Sequence, residues 1–184
     1  MSNYRRSRIA GGTYFLTQVT YQRESWLCSE LGRKALREAL KTVQKKYPFA
    51  IDAFVLLPDH FHCLWKMPEG DSDFSLRLRL VKTYVTKHYK NQLGITHEIS
   101  ASRQKRKESN LWQRRFWEHL IHDEADYNRH LDYIHYNPVK HGLCSQVKDW
   151  QYSSFHRYVV RGVYPVDWGI DEKKVVFSPD LDGE

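Results

Sequence analysis

Runs of apolar residues with strand and helix periods follow one another along the chain, and their spacing predicts the secondary structure. Thr13 to Thr20 (TYFLTQVT) is rich in aromatic and β-branched residues and predicts a first strand. Ser29 is placed to cap a helix running to about Lys46. Leu31, Ala35, Leu36, Ala39, Leu40 and Val43 recur at helical spacing along it, and Pro48 follows as a stop signal. Phe49 to Leu57 is an apolar run short enough for a strand, joined by Leu57-Pro58-Asp59 to another that ends before Pro68. A second helix is expected from Asp73 to about Asn91, with Leu76, Leu80, Val81 and Tyr84 on its apolar side. Arg115 to Ile121 predicts a fourth strand. Asp123 then caps a helix that buries Tyr127, Leu131 and Ile134 and ends at Asn137, before Pro138.

The order β-α-β-β-α-β with a further helix is the ferredoxin-like pattern. The expected fold class is therefore α+β: an antiparallel sheet, an added helix and an irregular C-terminal tail. Residues 1–184 read as one domain. Residues 1–12 form a basic arm, and residues 143–184 a tail whose aromatics (Trp150, Tyr152, Phe155, Tyr158, Tyr164, Trp168) pack onto the body.

The third strand carries the chemistry. In His60-Phe61-His62-Cys63-Leu64-Trp65, side chains two apart share a face. Phe61, Cys63, Trp65 and Met67 make an apolar stripe, and His60 and His62 lie on the other face. Two imidazoles on a rigid strand can converge on one metal ion. Alone, the pair is a weak signal, and the plainer reading is two exposed histidines on the polar face of an amphipathic strand. On the last predicted helix, Tyr133 and Asn137 are one turn apart and share a face set off from the Tyr127/Leu131/Ile134 side. If that face covers the histidines, Asn137 offers a carbonyl oxygen as a third ligand and Tyr133 stands beside the ion. Tyr136 has Lys140 at the fourth position on, and Tyr127 has Leu131, so spacing selects Tyr133.

Charge points to the partner. The formal net charge is +7, with 29 basic against 22 acidic side chains, which favours a polyanion, nucleic acid first. Arg103, Lys105, Arg106, Lys107, Arg114 and Arg115 cluster against Glu108 alone, beside Trp112, Phe116 and Trp117. That mixture suits unpaired nucleic acid, where bases stack and phosphates need charge. Arg77, Arg79, Lys82, Lys87 and Lys90 give the second helix one sign of charge. Cys28, Cys63 and Cys144 form no C-x-x-C pair, so neither a disulfide framework nor a zinc finger is indicated. With no apolar run near ~20 residues and no secretory leader, a cytoplasmic protein without membrane contact is expected.

Together the segments YRR (Tyr4–Arg6), GGTYF (Gly11–Phe15), LPDHFHCLW (Leu57–Trp65), RFWEH (Arg115–His119), DYIHYNPVKHG (Asp132–Gly142) and DWQYSSFHRYVVRGVYPVDW (Asp149–Trp168) resemble the single-tyrosine HUH transposases. The similarity is nearest to their REP-associated tyrosine transposase branch. Asn137 stands where the wider family has Gln, and the basic insert around Arg103–Lys107 is longer than the branch leads one to expect. The resemblance implies a metal-dependent endonuclease and strand transferase acting on single-stranded, hairpin-forming repetitive extragenic palindromes. Its ion would be Mg²⁺ or Mn²⁺ on His60, His62 and Asn137, and Tyr133 would form a 5′-phosphotyrosine. Ligand softness alone would have favoured zinc, iron or nickel. Tyr4, Arg5, Arg6, Arg77, Arg79, Lys82, Arg114 and Arg115 are the candidates for DNA contact, and a monomer is implied. Two other readings are a non-catalytic binding module for structured nucleic acid and a zinc hydrolase. The second lacks a carboxylate near the histidines other than Asp59.

Overall fold

β1 (Thr13–Val19) is buried along nearly its whole length, because it is an interior strand with helices on both of its faces. A computed structural model describes residues 8–95, 101–106 and 109–170. Its elements after β1 are α1 (Glu30–Lys46), β2 (Ala50–Leu56), β3 (His60–Lys66), α2 (Phe74–Tyr89), the short α3 (Ala101–Lys105), β4 (Trp117–Leu120), α4 (Glu124–Lys140) and α5 (Phe155–Val160). The strands form one sheet in the order β2-β3-β1-β4. Every neighbouring pair is antiparallel, as the ferredoxin-like pattern requires.

Two apolar layers sandwich the sheet. One face of the strands, with Tyr14, Leu16, Phe61, Cys63 and Trp65, packs against α1 and α2. The other, with Phe15, Ala53, Val55 and Leu64, packs against α4 and the C-terminal segment. The expected helix starts are present: Ser29 accepts from the Gly32 N–H at 3.0 Å, Asp73 from Leu76 at 3.0 Å, and Asp123 from Asp126 at 2.8 Å. Gly32 is required where it stands, since a Cβ there would lie 2.2 Å from the Trp26 carbonyl oxygen.

Two expectations are corrected. The buried stripe of α2 is Phe74, Arg77, Leu78, Val81, Val85 and Tyr89, whereas Leu76, Leu80 and Tyr84 are only partly buried. An arginine in the middle of the core stripe rotates the visible hydrophobic pattern. α4 does not stop at Asn137 but continues through Pro138 to Lys140. A proline removes one N–H donor, and so near the helix end the next turn still closes, His141 N–H donating to Asn137 O at 3.0 Å.

The C-terminal segment extends the outer edge of β2. Ser153 bridges Val55, the Ser154 N–H donates to Phe54 O at 2.8 Å, and Trp150 Nε1 donates to Leu56 O at 2.9 Å. An otherwise open sheet edge is covered in this way. Among the described residues, no helix is long and apolar enough to cross a membrane.

Candidate active site and nucleic-acid interface

His60 and His62 open β3, opposite Val19 and Thr17 of β1. They share the strand face of Leu64, which meets α4. Both are buried, with 1% and 0% of their surface accessible, so the reading of two exposed histidines is excluded. Their rings are 4.9 Å apart and nearly perpendicular, at 83°. Each Nδ1 has its own partner: Thr17 Oγ1 at 2.8 Å for His62 and Asp59 Oδ1 at 2.6 Å for His60. Burial alone would raise the Asp59 carboxyl, but the hydrogen bonds and charge of His60 and Arg23 outweigh it and hold it below the usual range. An ionised Asp59, itself gripped by Arg23 at 2.9 Å, favours a proton on His60 Nδ1. A neutral ring with Nδ1–H donating carries its lone pair on Nε2, the arrangement typical of metal-binding histidines. The pair therefore fits a divalent ion.

α4 brings its own residues to this face. The Tyr133 ring lies 5.3 Å from that of His62, edge-on at 73°, and 5.8 Å from Phe15. Tyr133 and Asn137 are both fully buried. Because α4 continues past Pro138, two further residues reach the region. Lys140 Nζ donates to Tyr133 Oη at 3.2 Å and stands 4.9 Å from its ring centroid. The His141 ring is 5.1 Å from His60. Sequence reasoning missed Thr17, Lys140 and His141, the last two because it ended the helix at Pro138. Tyr136 faces elsewhere, toward Trp168.

A second group, His119, Asp126 and His130, brings one potential ligand atom from each residue within 4.8 Å of the others. Its two imidazoles are stacked, 4.5 Å apart at 18°. Lone pairs in nearly parallel planes do not converge on one point. Asp126 already accepts from the His122 N–H at 2.9 Å and from Arg129 at 3.2 Å, and lies 2.8 Å from His119 Nε2. The group clamps β4 to the start of α4.

The basic candidates divide. Arg77 is corrected: only 2% exposed, it donates to Tyr47 O, Pro48 O, Asp73 O and the Asp71 carboxylate. Its charge is spent joining α2 to the end of α1. Arg79, Arg114 and Arg115 are exposed. Arg79, Lys82 and Arg114 line a cleft of about 400 Å³ with Arg8 and Phe116. They also line a second cleft of about 470 Å³ with Lys87, Arg103 and Trp112. Lys82 Nζ donates to Gln113 O at 2.7 Å, steadying this wall. Arg103 of the basic insert lies over the Tyr21 ring at 4.2 Å and donates to Trp112 O at 3.0 Å, so α3 is docked on the body. Tyr4, Arg5 and Arg6 lie outside the described residues. The wall of the second cleft meets the histidine end of the sheet: the Gln113 N–H donates to Val19 O at 3.0 Å, and Val19 pairs with His60.

Known proteins resemble the chain along most of its length. Residues 10–137 match the family model described as transposase, IS200-like. A REP-associated tyrosine transposase of Escherichia coli strain K12 is 46% identical over 171 residues, 93% of each chain. A Haemophilus influenzae relative named for the same group is 47% identical over 170 residues, 92% of this chain and 94% of its own. A solved structure of a REP-associated tyrosine transposase bound to a REP hairpin superposes with a TM-score of 0.80 at 43% identity, covering 100% of this chain and 98% of that one. The chain belongs to the IS200-like transposase family, within its REP-associated tyrosine transposase branch.

Proposed function

We propose that this transposase cuts and rejoins single-stranded DNA beside a hairpin of a repetitive extragenic palindrome, acting as a monomer with Tyr133 as nucleophile. The observation that carries the reading is the Tyr133 ring against His62, with Asn137 one turn on and equally buried. Tyr133 Oη attacks the scissile phosphorus, the bond to the 3′ oxygen breaks, and that oxygen leaves as a 3′-hydroxyl. The product is a 5′-phosphotyrosine, which preserves the phosphodiester for rejoining without a nucleotide cofactor. His60, His62 and Asn137 would hold the divalent ion, Mg²⁺ or Mn²⁺. Bound there, it would supply Lewis-acid polarisation of a non-bridging phosphoryl oxygen. Thr17 and Asp59 fix the two imidazoles, so the ligand set is prepared before DNA arrives.

Arg79, Lys82, Arg114 and Arg115 form the DNA face on this reading, with the arm residues Tyr4, Arg5 and Arg6. The shared wall at Gln113 and Val19 joins that face to the site. The relative solved with a REP hairpin supports hairpin DNA as the partner. The test is a denaturing gel of protein incubated with end-labelled single-stranded hairpin DNA and Mg²⁺ or Mn²⁺. Wild type should give a covalent band; Tyr133→Phe should bind and give none; His60→Ala and His62→Ala should bind and not cut. Tight binding without any band from wild type would favour a non-catalytic module.

A further inference from the structure

Resting on the reading of Tyr133 as nucleophile, we infer that Lys140 is a further catalytic residue. Its ammonium holds Tyr133 Oη and balances the charge on that oxygen, both when it attacks phosphorus and when it leaves. Lys140 Nζ is 3.2 Å from Oη and 4.9 Å from the centroid of the same ring. Seven residues separate the two, close to two turns of α4, so they sit on one face. By spacing alone Lys140 would pair with Tyr136, four residues before it. The structure turns it to Tyr133 instead.

The burial pattern supports a chemical rather than a packing role. Tyr133 is fully buried, whereas Lys140 is exposed in the last turn of its helix. Truncating an exposed lysine leaves the core intact. What it removes is a positive charge at hydrogen-bond distance from the attacking atom. The phenol proton passes to water that reaches Oη along the exposed Lys140 side, ahead of the forming Oη–P bond, so Oη carries partial negative charge in the transition state. The departing 3′ oxygen takes a proton from solvent. Rejoining runs the other way: the 3′-hydroxyl attacks phosphorus, the Oη–P bond breaks, and Oη again carries charge beside Nζ. Lys140 keeps its three protons throughout. A fixed donor aimed at an oxygen that gains charge in the transition state acts most strongly there. The proposed ion serves the phosphoryl oxygens and Lys140 the nucleophile, so the two do not duplicate each other.

The experiment measures single-turnover adduct formation at saturating hairpin DNA, and rejoining from isolated adduct, in wild type, Lys140→Met and Lys140→Arg. Lys140→Met should slow both steps by about 100-fold, the lower end for loss of one such donor because Lys140 is exposed, with the dissociation constant for DNA changed less than about threefold. Lys140→Arg should recover part of the loss, because it restores a cationic donor. Circular dichroism should show all three equally folded. Adduct formation by Lys140→Met at the wild-type rate would overturn the inference. So would a loss confined to DNA affinity, which would make Lys140 a phosphate contact. Wild type that forms no adduct, with Tyr133→Phe indistinguishable from it, would overturn the nucleophile reading itself and this inference with it.

Discussion

Arg77→Met should destabilise the fold and spare DNA affinity. Methionine keeps most of the arginine stem's volume but none of its donors. The lost bonds run from Nε to Tyr47 O (3.3 Å) and Pro48 O (3.2 Å), and from the terminal nitrogens to Pro48 O (2.9 Å), Asp73 O (3.0 Å) and Asp71 Oδ2 (2.7 Å). Tyr47 and Pro48 follow the last turn of α1, where carbonyls lack partners within the helix. The Asp73 carbonyl is the N-cap's and accepts from α2 itself, and Asp71 is partly exposed and would hydrate. The cost therefore concentrates in the carbonyls of residues 47 and 48, but Tyr47 is half-buried and Pro48 exposed, so water replaces part of the guanidinium and each falls at the low end of ~1–3 kcal/mol. Part of it is offset because a buried charge no longer has to be desolvated. The net is about 2 kcal/mol, or ~4–8 °C in Tm for a chain of this size. Urea unfolding followed by circular dichroism gives the first quantity, and filter binding of hairpin DNA at low temperature gives affinity in the folded state. Arg79→Met is the control, with near-normal stability and weakened binding. If Arg77→Met stays within about 1 kcal/mol of wild type, or binds DNA worse than Arg79→Met, the assignment of Arg77 to the helix junction is wrong.

Two further outcomes are expected. Burial, with the nearby charges of Arg157 and His156, pushes the His135 imidazole down to about 3, whereas in the unfolded chain it titrates near ~6.5. The unfolded state thus takes up a proton that the native state refuses, so stability falls as pH drops through 6.5 toward 3. Between pH 7 and 5.5 this group accounts for about 1 kcal/mol, and His135→Gln should flatten that part of the urea-midpoint profile; an unchanged profile would exclude His135 as its source. Arg79→Gln and Arg114→Gln should each lower the slope of log affinity against log salt by roughly 0.7–0.9 through lost counterion release, and an unchanged slope would remove that residue from the DNA contacts.

The strands, the helix starts and the placement of Tyr133 were legible because each rests on short-range rules. Ser29, Asp73 and Asp123 are caps written into the sequence, and period-two alternation put His60 and His62 on one face. Three features were not legible, each for a non-local reason. Arg77 looked like a surface charge because its partners lie some 30 residues upstream, at Tyr47 and Pro48, and their carbonyls leave no mark in a one-dimensional pattern. The hydrogen-bond partner of His62 Nδ1 is Thr17, which only the pairing of β1 with β3 brings alongside. Pro138 read as a stop because its local preference is to end helices, yet the packing of α4 outweighs the loss of one hydrogen bond. That misreading hid Lys140 and His141, which lie on the extra turn.

The same packing explains why so much polarity is buried on the side of α4 away from Tyr133. His135 Nε2 lies 2.8 Å from Ser154 Oγ, Tyr164 donates to Asp132 at 2.5 Å, and Tyr158 donates to Asp52 O at 2.9 Å. Burial, together with its bond to Asp132, raises the Tyr164 phenol above its ordinary range, so it stays a neutral donor. These bonds tie α4 and the outer strand β2 to the segment 153–164, which also borders β2 through Ser153 and Ser154. A helix held only by apolar contacts could rotate or slide by a fraction of a turn at small cost. A helix with directional bonds on its outer side cannot do so without breaking several at once. The inner side carries Tyr133 against His62, where an error of about 1 Å in the proposed nucleophile can cost on the order of a hundredfold in rate. The outer polar network thus sets the register of the inner face, and the tail helps to position the site although no residue of 153–164 is in the proposed catalytic set.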